Sequence, residues 1–97
     1  MKTYEECLDD PVYCVIEEST IQSINDYVTR GFDPGGFVTA VLANDLMSAL
    51  GRADMENRLT IWVICNYVYN EIGASLHGSY DAVRNHINEI HERISSD

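Results

Sequence analysis

The polar side chains best suited to chemistry lie between Pro34 and Asp54, in the stretch PGGFVTAVLANDLMSALGRAD. Read as a single helix, this stretch sets Asn44, Ser48 and Arg52 at i, i+4 and i+8 on one face, with Asp45 beside them. Asp54, Asn57 and Arg58 continue the cluster across a turn into the next element. Arg52 carries a planar fork that matches a phosphate or a carboxylate. The set therefore reads as a site for an anion or a polar small molecule. The competing reading is structural: Asp45 pairs with Arg52 or Arg58, Asp54 caps a helix, and the asparagines tie a loop. Gly35 and Gly36 are costly in a first helical turn. Their presence implies that something approaches the backbone closely there, or that the turn is irregular. A glycine pair at a helix start also resembles an anion-binding N-terminus, although no Walker lysine accompanies it.

Other chemistries find little support. His77, His86 and His91 lack metal-ligand spacing, since His86 and His91 are five apart and off one helical face. Cys7, Cys14 and Cys65 are odd in number and form no CxxC pair, so they read as free thiols. No serine or cysteine stands next to a base held by a third group, and Asp45 with Asp54 shows no sign of a tuned acid–base pair. The expectation is a protein with no catalytic residues, no metal and no cofactor.

Charge narrows the partners. Sixteen acids stand against six bases in 97 residues, a net charge of −10, and the bases are Lys2, Arg30, Arg52, Arg58, Arg84 and Arg93. Direct binding to nucleic acid or to an anionic membrane is not expected, because no basic stripe exists to displace counterions. A basic surface on another protein would instead be attracted. Glu5, Glu6, Asp9, Asp10, Glu17 and Glu18 are the partner-binding candidates, and a solvated face is the plain alternative. The acids of MKTYEECLDD occupy the place of a signal peptide's apolar core, which implies an intracellular protein. No apolar run reaches the roughly 18 residues of a membrane span. A chain this short buries only about 60 to 65% of its unfolded surface, so self-association into a homo-oligomer is a natural way to bury more.

The elements that must position these residues read as helices. Residues 1–18 form an acidic segment whose apolar run, Val12 to Ile16, fits a brief strand or a helix start. Residues 19–97 read as one helical domain. Its first helix, roughly 20 to 30, opens at Ser19 with Gln22 as a weak capping box and stops at Gly31 as a left-handed C′ residue. Asp33 and Pro34 start the second, as N-cap and N1; its apolar face runs from Phe37 to Leu50 and it ends near Gly51. Asp54 caps the longest helix, about 55 to 72, with Met55, Leu59, Trp62, Ile64, Cys65, Val68, Tyr69 and Ile72 marking it as central and buried. A loop spans 73–78. Ser79 caps the last helix, where Val83, Ile87, Ile90 and Ile94 form a stripe. The fold class is all-α, a compact bundle of about four helices with short loops.

The chain resembles a group of small, mostly uncharacterised proteins of tailed bacteriophages and prophages. The resemblance rests on Ile24 to Val28 with Gly31, on PGGFVTAVLANDLMSALGRAD with Asn57, on Tyr69-Asn70, and on His77-Gly78-Ser79 with Val83 and Ile87. It covers roughly 21 to 90, leaving the acidic N-terminal segment outside. Relatives commonly carry a proline near the position of Gly73, where this chain has none. The resemblance implies an accessory phage protein acting in the cytoplasm of an infected bacterium, and brings no catalytic residues with it. Phage proteins of this size and acidity are often stoichiometric antagonists of host defence. One expectation is an anti-CRISPR-like inhibitor that blocks a basic nucleic-acid-binding surface of an effector through its acids. An alternative is an oligomeric sponge for a nucleotide immune signal, with Gly35, Gly36, Asn44, Asp45, Ser48, Arg52, Asp54 and Asn57 as its contacts. A further alternative is a structural or regulatory accessory protein.

Overall fold

The computed structural model describes residues 1–96, and among these every regular element is helical. Seven α-helices follow one another: α1 (Tyr4–Leu8), α2 (Glu18–Arg30), α3 (Gly35–Leu42), α4 (Leu46–Arg52), α5 (Met55–Leu59), α6 (Ile61–Glu71) and α7 (Tyr80–Ser96). Short 3₁₀ turns lie at Tyr13–Val15 and Ala74–Leu76. The all-α class is as expected, but the helices number seven rather than about four. Two long helices are each divided, and the N-terminal segment adds one.

The first division falls after Leu42. Asn44 takes φ 62°, the left-handed region, which asparagine tolerates better than most residues. Asp45 then caps α4 by accepting the Ser48 N–H at 3.3 Å, and α4 folds back against α3. The second division falls at Thr60, whose φ of −114° leaves the helical range. Its hydroxyl donates to the Glu56 carbonyl at 2.9 Å, a local bond that competes with helix continuation. The longest helix is consequently α7, with 17 residues, and not the element after Asp54.

Several end signals operate as expected. Gly31 ends α2 at φ 67°, Asp54 accepts the Asn57 N–H at 2.8 Å, and Ser79 accepts the Ala82 N–H at 3.1 Å. Two differ. The helix-start position of α2 is Glu17, with Ser19 already helical and Gln22 bonded to Glu18 rather than to a cap. At α3, Asp33 accepts the Gly35 N–H at 2.9 Å, but helical bonding begins only at Gly35, with Pro34 in the cap position.

The core gathers Ile21, Ile24 and Tyr27 of α2, Val38, Val41 and Leu42 of α3, Val63, Ile64, Tyr67 and Val68 of α6, and Val83 of α7. Each such side chain stabilises by about 1.5–3 kcal/mol on burial. Cys7, Tyr13 and Ile16 join the same cluster. Tyr67 holds the chain's start in place: its hydroxyl lies 2.9 Å from the Lys2 carbonyl and 2.7 Å from Asn25 Oδ1, and accepts the Lys2 N–H. A buried pair, Thr20 donating to Asn57 Oδ1 at 2.9 Å, joins α2 to α5. The 73–78 loop is fastened twice, by Tyr27 to the Leu76 carbonyl and by the Gly78 N–H to the Leu42 carbonyl. The radius of gyration, 13.1 Å, matches the roughly 13 Å of a folded domain this long.

Candidate functional site

The residues of the PGGF to ALGRAD stretch separate into three places. Gly35, Gly36 and Arg52 meet in one of them, a cavity of about 270 Å³ between the start of α3, the end of α4 and the start of α7. A Cβ on Gly36 would lie 2.7 Å from Arg52 Nη1, so the guanidinium lies directly against that backbone. Gly35 takes φ 85°. The two glycines thus have different causes, a close approach at one and an irregular turn at the other.

Asp45 and Ser48 border this place. The Asp45 carboxylate accepts the Tyr80 hydroxyl at 2.7 Å. That bond, then those from the Ser48 side chain and backbone, then the Arg52 charge, hold its carboxyl below the usual range. Tyr80 also lines the cavity, together with Thr39 and Asp33. Tyr80 was not among the expected residues; its signal was an aromatic directly after the Ser79 cap, three residues before Val83 and so at the start of the same helical stripe. Around Arg52 stand two carboxylates, Asp33 and Asp45, and Arg84 lines the adjoining cavity that shares Asp33, Thr39 and Tyr80.

Asn44 is not part of that arrangement. Because the chain breaks at Asn44, the i, i+4, i+8 geometry with Ser48 and Arg52 does not exist. Asn44 lines a separate cavity of about 420 Å³ with Leu42, Cys65, Tyr69 and His77. Cys65 and His77 thus share a cavity wall, but burial pushes the Cys65 thiol up, the opposite of an activated nucleophile. Asp54 and Asn57 lie in a third place. Asn57 is 8% exposed, and its backbone and side chain are taken by Asp54 and Thr20.

The acidic candidates have clear positions. Glu5, Glu6 and Asp9 are exposed on and just after α1. Glu6 closes a capping box with Thr3, and these bonds hold its carboxyl below the usual range. Asp10 accepts the Tyr13 and Val12 N–H groups at 3.0 and 2.7 Å, which lower its carboxyl likewise. Glu17 and Glu18 lie at the start of α2. The Glu17 carboxyl is raised, first by a hydrogen bond shared with Glu56, then by burial, then by the charges of Asp54 and Glu56. The acidic surface therefore continues onto α5 through Asp54 and Glu56, a juxtaposition no spacing in the chain reveals. The ion pairs Met1–Glu71 at 3.7 Å and Arg84–Asp81 at 3.8 Å engage other carboxylates. Among the described residues no His, Cys, Asp or Glu group is arranged to hold a metal ion, and no helix is long and apolar enough to cross a membrane.

Comparison with protein-family models, with curated proteins and with solved structures returned no match. The fold and the surface therefore define the molecule by themselves: an all-α domain with an acidic face and several open cavities.

Proposed function

We propose that the protein is a non-enzymatic, stoichiometric inhibitor of phage origin. It acts in the cytoplasm of the infected bacterium by occupying a basic nucleic-acid-binding surface of a defence effector, in the manner of an anti-CRISPR. The observation that carries this reading is a pair of acidic clusters, Glu5, Glu6 and Asp9 exposed at α1 and Glu17 beside Asp54 and Glu56 across α2 and α5. None of these six carboxylates joins the ion pairs at Glu71 and Asp81. A row of carboxylates of this kind competes with phosphates for lysine and arginine on a partner, steers association, and repels acidic surfaces.

The test is phage plating on strains that each carry one active nucleic-acid-targeting defence system. Expression of this protein restores plating on at least one strain, and reversal of Glu5, Glu6, Asp9 and Asp10 to lysine abolishes the rescue. Rescue that survives the reversal contradicts an acidic contact.

A second reading, the nucleotide sponge, is favoured by one observation, the Arg52 guanidinium laid against Gly36 at a cavity mouth. Asp33 and Asp45 beside it weigh against an anionic ligand. Calorimetry with cyclic and linear nucleotides separates the two, because only the sponge gives heat that Arg52→Ala removes.

A further inference from the structure

An apolar ridge runs along α5 and α6. Met55, Leu59, Trp62 and Tyr69 are 69%, 72%, 63% and 78% exposed. Steps of four, three and seven residues keep them on one side of a helix, while Asn57, Val63, Ile64, Tyr67 and Val68 are buried on the other. Backbone bonds cross the Thr60 break, from the Thr60 N–H to the Glu56 carbonyl and from the Ile64 N–H to the Thr60 carbonyl. Large apolar side chains exposed in a row, unlike scattered ones, mark a contact surface.

Acids stand at the N-terminal end of the ridge. Asp54 precedes Met55 and Glu56 follows it, and the Thr20–Asn57 bond pins α5 to α2. Glu17, at the start of α2, shares a hydrogen bond with Glu56 and feels the charge of Asp54. Arg58 lies among them, but its Nε donates to the Leu50 carbonyl at 3.3 Å, which draws the guanidinium toward α4. Three carboxylates against this one arginine leave that end of the ridge acidic.

Carboxylates beside protruding aromatic and apolar groups reproduce what a single nucleic-acid strand offers a protein, namely phosphate charge and the flat faces of unstacked bases. Grooves for single strands answer with basic side chains along the backbone and aromatic side chains on which bases stack. A duplex hides its base faces, so surfaces that bind duplexes read phosphates and base edges instead. We propose that the α5–α6 ridge, with Glu17, Asp54 and Glu56, docks in a single-strand-binding groove of the partner, Trp62 stacking on an aromatic platform where a base would lie. This rests on the function proposed above and narrows its partner from any basic nucleic-acid-binding surface to one built for single strands. Trp62 and Leu59 are the anchors, and the carboxylates steer and orient the encounter.

The intact protein allows a direct test, because Trp62 is its single tryptophan and fluorotryptophan placed there gives one fluorine NMR resonance. On a strain where the wild type restores plating, Trp62→Ala and Leu59→Ala lose the rescue; both positions are exposed, and circular dichroism checks that each variant stays helical. With the purified effector the fluorine resonance shifts on binding. A labelled single strand that the wild type displaces is displaced roughly five- to a hundredfold less readily by Trp62→Ala. The salt dependence of displacement is unchanged in Trp62→Ala and reduced in Glu56→Lys, since only the second removes a charge contact. Rescue by the wild type that Trp62→Ala retains overturns the docking mode alone. So does displacement of a duplex but not of a single strand. A resonance that moves with the protein's own concentration and not with effector puts a second copy on the ridge, and also overturns it. A wild type that rescues no strain overturns the proposed function, and the docking mode with it.

Discussion

Gly31, Gly35 and Gly36 each lack a side chain for a different physical reason, and the three reasons predict three outcomes for alanine. At Gly31, φ is 67° and an added Cβ would lie 2.9 Å from the Ile90 Cβ. Gly31→Ala therefore combines left-handed strain of about 1–2 kcal/mol with displacement of α7. Gly35 has φ 85° but open space around it, so Gly35→Ala costs only the strain. At Gly36 the neighbour is the far end of Arg52, which can swing away, while alanine gains up to about 1 kcal/mol of helix propensity. Urea titration should rank stability Gly31→Ala lowest, Gly35→Ala next, and Gly36→Ala equal to or above wild type. Glu17 adds a charge prediction at the same scale. Its carboxyl is raised by Glu56 and Asp54, so the protonated form fits the fold better, and stability from this group is lost as pH rises through its folded value. Glu17→Gln should raise the melting temperature at neutral pH and have no effect in acid, where Glu17 is already protonated. Equal effects at both pH values would contradict the cause assigned.

At the scale of elements, what was legible in the chain is what local chemistry decides alone. Gly31, Asp54 and Ser79 mark ends that depend on a backbone angle or a cap within three residues. The breaks at Asn44 and Thr60 were not legible, because the aliphatic pattern runs across both. Each break joins a local device, the left-handed Asn44 with its Asp45 cap or the Thr60 hydroxyl on Glu56, to a tertiary contact: α4 folds back on α3, and the Thr20–Asn57 pair pins α5 to α2. The cluster around Arg52 suffered most from this, since its members were aligned on a helix that is in fact two. What survived, a close approach to the backbone at Gly36, rested on a steric argument rather than on periodicity; that the neighbour is Arg52 was not legible. Met55, Leu59, Trp62 and Tyr69 were assigned to the core because they are apolar, yet all four are exposed, with Val63, Ile64, Tyr67 and Val68 filling the inner face of α6. In the N-terminal segment Tyr67 ties Lys2 and Asn25 together, beside the bond from Asn25 Nδ2 to the Lys2 carbonyl at 2.7 Å, and burial pushes its hydroxyl up to about 12. Tyr67→Phe leaves these partners without it and should cost about 1–3 kcal/mol, with faster amide exchange over residues 2–8. The raised hydroxyl favours the folded state below pH ~10, an advantage lost as pH climbs toward 12. Tyr67→Phe should therefore also flatten the alkaline melting curve.

For the whole molecule, net charge and exposed apolar surface pull in different directions. Ten unbalanced negative charges oppose self-association over a Debye length of about 10 Å, yet large apolar side chains stay exposed on α5 and α6. A small domain that keeps both is suited to meeting other surfaces. The claim at the centre of this account is that the acidic face competes with nucleic acid for a protein partner. Its most direct measurement is fluorescence anisotropy of labelled nucleic acid on the purified effector identified by plating, titrated with this protein at several salt concentrations. Displacement is expected at one copy of this protein per effector site, weakening steeply with salt and lost when Glu5, Glu6, Asp9 and Asp10 are reversed to lysine. Nucleic acid that stays bound while the inhibitor saturates the effector would contradict it.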